Sequence, residues 1–233
     1  MTTRDNLIDR IQASSKKNST SMLGRIPVWI THPLPEKFKL DVVWTTIRNA
    51  IPDHFLSGIE SIYIGNFKHL EERELDAAYL DGVIYVTNNQ EDEQDMIDDI
   101  VHELAHSVEE RYVDELYFDG TIEHEFAVKR QKLYQLLRAE GYDVRLRDFM
   151  NMEYSVEFDD LLYKTIGYPL LRTLSVNLFV SPYGATSLRE YFANGFEAFF
   201  LNKNKELKDI CPVTWSKIDN LVDIDLGSYQ YES

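Results

Sequence analysis

The sequence predicts an α+β protein, with a mixed sheet and its helices in the N-terminal part and a mostly helical part after it. Three observations predict this. The runs Ile26-Pro27-Val28-Trp29-Ile30, Ser61-Ile62-Tyr63-Ile64-Gly65 and Val83-Ile84-Tyr85-Val86 are rich in the β-branched and aromatic residues that favour strands. Met96, Ile97, Ile100, Leu104 and Val108 recur at three- and four-residue steps, the period of an amphipathic helix. Helical patterns then cover residues 121–140 and 187–200.

Taken in chain order, residues 1–24 read as a flexible arm. A short amphipathic piece around Leu7, Ile8 and Ile11 gives way to the polar run Ala13-Ser14-Ser15-Lys16-Lys17-Asn18-Ser19-Thr20-Ser21. The strand at 26–30 is followed by a helix over 41–50 and the strand at 61–65. Residues 77–87 end in a β-branched and aromatic run behind the turn signal Asp81-Gly82, and the letters fit an edge strand or a core strand equally. Residues 88–95 read as a solvated loop and helix start. Asp92 is the expected N-cap, and Glu93 and Asp95 fall in the first turn, where carboxylates suit the helix dipole. His124 falls on the helix of 121–140 and is expected to be exposed or to support the site from outside the ligand set, rather than to be a ligand. Ser181-Pro182-Tyr183-Gly184 reads as a loop, Cys211-Pro212 as a helix start, and residues 226–233 as a tail.

The amphipathic helix after Asp92 carries His102-Glu103-Leu104-Ala105-His106. Two histidines four residues apart share one helical face, so His102 and His106 can hold one Zn²⁺, and Glu103 between them can reach a water on the metal. A zinc site of this kind needs a third ligand. The positions three and six residues after His106 hold Glu109 and Tyr112, which excludes the pattern that places glycine and histidine there. Glu190, Asn194 and Glu197 fall on one side of the helix of 187–200. Glu190 is either the third ligand, leaving one position open for water, or a helix-start carboxylate near the positive dipole end; the pattern alone leaves both readings open.

The pairing of His102-Glu103-Leu104-Ala105-His106 with Tyr183 and Glu190-Tyr191-Phe192-Ala193 resembles the gluzincin peptidases of the anthrax lethal factor and clostridial Pro-Pro endopeptidase type. The likeness spans about residues 75–112 and 180–222, continuing through Phe199-Phe200-Leu201-Asn202 and Cys211-Pro212-Val213-Thr214-Trp215. It implies a zincin-like domain over residues 25–225, with an edge strand lying over the active-site helix. It implies one Zn²⁺ on His102, His106 and Glu190, with Tyr183, seven residues before Glu190, as catalytic tyrosine. Where the family has a glutamate bracing the first histidine from outside the ligand set, this chain has Asn194, which predicts weaker zinc affinity. His106 and Glu190 are 84 residues apart, which implies an insertion within residues 113–180. By the same likeness the strand Val83, Ile84, Tyr85 and Val86 would bind extended substrate through its backbone. The expected chemistry is peptide hydrolysis, with Glu103 taking a proton from the attacking water and returning it to the leaving amine, and Tyr183 donating to the oxyanion.

Composition bounds the partners. A net charge of −16 argues against nucleic acid or an anionic membrane, since binding phosphate demands a basic face. The expected partner is a peptide or protein substrate, with the insertion or the N-terminal arm as a further docking element. No apolar signal region is read at the N-terminus and no stretch is long enough to span a membrane, so the expected location is the cytoplasm of the producing cell, or delivery to a target or a viral particle. Cys211 is the single cysteine and is expected to be a buried thiol. Two functional classes follow: a zinc endopeptidase, or a catalytically silent, metal-stabilised module of the same fold within a larger assembly.

Overall fold

The computed structural model describes residues 19–201 and 203–224. The chain is α+β and divides into two compact units, Met1–Ser107 and Val108–Ser233. Of the expected arm, residues 1–18 lie outside the described residues, as does the tail of 226–233.

The first unit holds five strands: β1 (Ser19–Leu23), β2 (Ile26–Ile30), β3 (Ser61–Ile64), β4 (Ala77–Leu80) and β5 (Val83–Val86). Residues 19–23 of the expected arm are thus the first strand. The sheet order is β1-β2-β3-β5-β4; β2, β3 and β5 run parallel, and β1 and β4 flank them antiparallel. The parallel step from β2 to β3 is made by α1 (Leu40–Ala50) and α2 (Asp53–Leu56), and that from β3 to β5 contains α3 (Lys68–Glu71) and β4.

Burial on both faces explains why the central strands lack polar alternation. Val28, Ile62, Ile64, Ile84 and Val86 share one face and are at most 1% exposed. The opposite face carries Trp29, Tyr63 and Tyr85 in cross-strand register, with ring centroids 6.4 Å apart for the first pair and 5.6 Å for the second. Phe67 and Leu70 of the α3 region pack with this row. Close packing is also backbone-deep: a Cβ on Gly65, just past β3, would lie 1.8 Å from the Thr31 hydroxyl oxygen.

One expectation is corrected here. Val83, Ile84, Tyr85 and Val86 do not form an edge strand. Their backbone pairs with β3 on one side and β4 on the other along its whole length. A run apolar at successive positions needs cover on both faces and therefore lies inside the sheet. The edge is β4, folded back by Asp81 (φ 49°) and Gly82 (φ 86°), two left-handed residues that match a two-residue hairpin turn.

The long helix α4 (Glu93–Arg111) carries the two histidines and runs through the boundary between the units. Among the described residues, no helix is long and apolar enough to cross a membrane.

The second unit is helical: α5 (Val113–Tyr117), α6 (Thr121–Ala139), α7 (Leu146–Met150), α8 (Val156–Asp160), a π-helical turn (Leu161–Ile166), α9 (Tyr168–Leu174), a 3-10 turn (Tyr183–Ala185), α10 (Leu188–Phe200), α11 (Asn204–Ile210) and α12 (Pro212–Val222). Its core is built from Phe126, Leu133, Leu137, Phe149, Leu162, Phe192, Phe196 and Ile218. Polar groups fasten the helices. Glu125 of α6 accepts hydrogen bonds from the Tyr191 hydroxyl of α10 (2.8 Å) and from the backbone N–H groups of Val213 (2.9 Å) and Thr214 (3.2 Å), capping α12 from a neighbouring helix. Arg130, also on α6, is 1% exposed, and among the described residues it donates to backbone carbonyls. His124 is exposed and Cys211 is buried, as expected.

Candidate metal centre

The α4 helix starts as the sequence predicts. The Asp92 carboxylate accepts from the backbone N–H of Gln94 at 2.8 Å and of Asp95 at 3.1 Å. Met96, Ile97, Ile100, Val101, Leu104, Ala105 and Val108 are all buried, which fixes the rotation of the helix and so the direction of its histidine face. His106 is 5% exposed and His102 is half-buried, with ring centroids 5.2 Å apart and nearly perpendicular.

Glu103 is held at the sheet edge. One of its carboxylate oxygens accepts the backbone N–H of Tyr79 in β4 at 2.6 Å, a charge-assisted bond. The Tyr79 N–H therefore points away from β5, as a backbone donor on the free side of an edge strand does.

One turn before the histidines stands Asp99, which the sequence reading missed. Its carboxylate accepts from the Gln90 amide at 2.9 Å. Burial pushes its pKa up to about 7; the Gln90 hydrogen bond opposes that rise, the negative charges of Asp76 and Glu103 add to it, and His102 opposes it. The signal was present in the spacing, because residue 99 is three before His102 and four before Glu103 and shares their side of the helix.

In the second unit, Ser187 caps α10, its hydroxyl oxygen accepting from the backbone N–H of Glu190 at 3.2 Å. Glu190 sits half-buried in the first turn. Tyr183 opens the 3-10 turn just before this helix. Its carbonyl accepts from the Thr186 hydroxyl at 2.8 Å, and its half-buried phenol is pushed up in pKa by burial, with the Glu190 charge adding to the rise.

Asn194 does different work from that expected of it. It is 8% exposed; its carbonyl oxygen accepts from the Ser181 hydroxyl, and its amide donates to the Glu190 carbonyl at 3.0 Å. The Ser181 oxygen also receives the Gly184 N–H at 3.4 Å, and a Cβ on Gly184 would touch Asn194 at 3.4 Å. The amide thus fastens the turn carrying Tyr183 onto the helix carrying Glu190. Ser181, also missed in the sequence, is its partner.

His102, His106 and Glu190 each offer one ligand atom, and these atoms lie within 4.8 Å of one another. Atoms bound to one zinc at about 2.0–2.2 Å stand roughly 3.4 Å apart. Two imidazoles and one carboxylate suit a divalent ion of borderline softness and leave a position for water.

The chain matches no protein-family model, no curated protein and no solved structure.

Proposed function

We propose that this chain is a zinc-dependent endopeptidase of the gluzincin kind, built on a zincin-like fold, with His102, His106 and Glu190 holding one Zn²⁺. The observation that carries the proposal is the convergence of those three ligand atoms within 4.8 Å, two of them on the helix whose Glu103 is fixed against the sheet edge. A purely structural ion needs no unliganded carboxylate beside it and no phenol near its third ligand.

A zinc in this set supplies Lewis acidity, which acidifies water and polarises a carbonyl. The chain's residues do the rest. Tyr79 holds one oxygen of Glu103, which leaves the other to take a proton from the attacking water and later deliver it to the leaving amine. Tyr183 donates its phenolic proton as a hydrogen bond to the tetrahedral oxyanion of the peptide. A phenol is protonated at neutral pH, as that role requires. Substrate pairs in extended form with the outward backbone groups of β4 other than the Tyr79 N–H that Glu103 holds, rather than with the internal Val83–Val86.

Cleavage of a peptide library by zinc-loaded protein, read by mass spectrometry beside Glu103→Ala, tests the proposal. Cleavage confined to the unsubstituted chain supports it. Zinc bound without cleavage favours the silent binding module instead.

A further inference from the structure

We infer that Arg130 is the positioning residue of the segment that presents Tyr183 and Glu190, acting through the backbone carbonyls between them. The inference rests on the reading of Tyr183 as oxyanion donor and Glu190 as metal ligand.

Arg130 lies on α6, 1% exposed, and all five of its N–H bonds belong to one rigid planar fork. One terminal nitrogen bridges two successive carbonyls, Ala185 and Thr186, at 3.1 Å each. The other donates to the Asp148 carbonyl at 2.6 Å, and Nε donates to the Phe149 carbonyl at 3.0 Å. Phe158 lies under the guanidinium, 4.0 Å from its centre, with Phe126 at 5.3 Å and Phe149 at 5.9 Å.

Placement gives this arrangement its meaning. Ala185 closes the 3-10 turn that Tyr183 opens, and Thr186 is the bend between that turn and the Ser187 cap of α10. The carbonyls of such a bend belong to no complete helical ladder and need other donors when buried. A water or a hydroxyl could satisfy one of them. Only a planar fork fixes two on one side while holding Asp148 and Phe149 on the other. The backbone N–H of Leu188 donates to the Met152 carbonyl at 2.8 Å, a second tie between the same two stretches. Stability alone does not account for a buried cation whose hydrogen-bond partners here are neutral carbonyls, because an apolar side chain would fill the space without the cost of desolvating a charge. What the guanidinium adds is position. Burial pulls its pKa down to about 9, so it stays charged at neutral pH. An error of about an ångström in the placement of a catalytic group costs on the order of 100-fold in rate.

The test compares the full chain with Arg130→Lys, which keeps the charge but loses the fork, and with Phe158→Leu, a milder loosening that folds if the first variant does not. Backbone hydrogen exchange on the metal-free protein reports the clamp whether or not the chain cleaves anything. Zinc affinity by chelator competition, and kcat against KM, report its consequence. We expect faster exchange confined to residues 146–152 and 183–190, zinc affinity lowered about 10-fold, and kcat lowered at least 10-fold with KM within about threefold. Unchanged exchange in a folded variant overturns the inference. So does loosened exchange with zinc affinity and kcat unaltered, which makes Arg130 a structural staple only. An unsubstituted chain that binds no zinc removes the metal reading beneath the inference, and that result is visible before any variant is compared.

Discussion

The carboxylate of Glu103 accepts the backbone N–H of Tyr79 at 2.6 Å, which ties the glutamate between the two histidines to an edge strand of the sheet. A glutamate on the histidine face would otherwise sweep several rotamers. Here one oxygen is anchored, and the direction of the other follows from the strand.

Glu103→Ala should therefore abolish cleavage, by at least about 100-fold, while leaving zinc affinity within about threefold of the unsubstituted chain. Glu103→Gln keeps a carbonyl oxygen for the Tyr79 N–H but takes no proton, and it should be equally inactive. Parallel zinc titrations and turnover assays of the two variants check this. A glutamine variant that still cleaves would show that Glu103 is not the base.

Removing the metal should reverse the activity without unfolding the chain, because each unit has its own core of buried apolar side chains. Dialysis against a chelator should cost all turnover, and added Zn²⁺ should restore it. Glu190→Ala should weaken zinc binding by at least about 100-fold, since only two imidazoles remain. Circular dichroism of the stripped protein and chelator competition on the variant decide both points.

The contribution of Tyr183 should fall on the chemical step. Tyr183→Phe removes only the donor, so kcat should drop by about 100- to 1,000-fold with KM nearly unchanged. Asn194→Ala releases both the Ser181 hydroxyl and the Glu190 carbonyl, and should cost roughly 1–2 kcal/mol of stability along with a smaller loss of kcat. Full activity in the phenylalanine variant would assign the tyrosine a packing role.

The His face of α4, its Asp92 cap and the Ser187 start of α10 were legible in the sequence because each is a local rule, whereas Tyr183 was singled out only by the family resemblance. Strand order was not. Val83-Ile84-Tyr85-Val86 and Ala77-Ala78-Tyr79-Leu80 are neighbours in one hairpin, and which of them faces outward depends on β3, which joins from about 20 residues upstream. The employment of Asn194 was hidden for a similar reason: its partner Ser181 lies across a turn whose path the letters do not give. Arg130 reads in sequence as one more charge on an amphipathic helix, and only the fold brings it four carbonyls.

Asp99 gives a prediction in pH. Its pKa is about 7 in the folded chain, raised first by burial and then by Asp76 and Glu103, against an unfolded value of 3.8. Between those two values the folded state holds a proton that the unfolded state has lost. Stability of the metal-free protein therefore falls as pH rises from about 4 to about 7, and levels off above that. After discounting for partial exposure, the loss is on the order of 2 kcal/mol. Asp99→Asn has no charge to bury and still offers an oxygen to the Gln90 amide, so its stability should stay flat across that window and exceed that of the unsubstituted chain above pH 7. A bound cation near His102 favours the charged carboxylate and lowers its pKa, so zinc should remove most of the slope. Urea unfolding of both chains at pH 5 and pH 8, with and without zinc, gives the four differences required. A metal-free chain that is no less stable at pH 8 than at pH 5, relative to Asp99→Asn, would mean that Asp99 is already ionised and solvated.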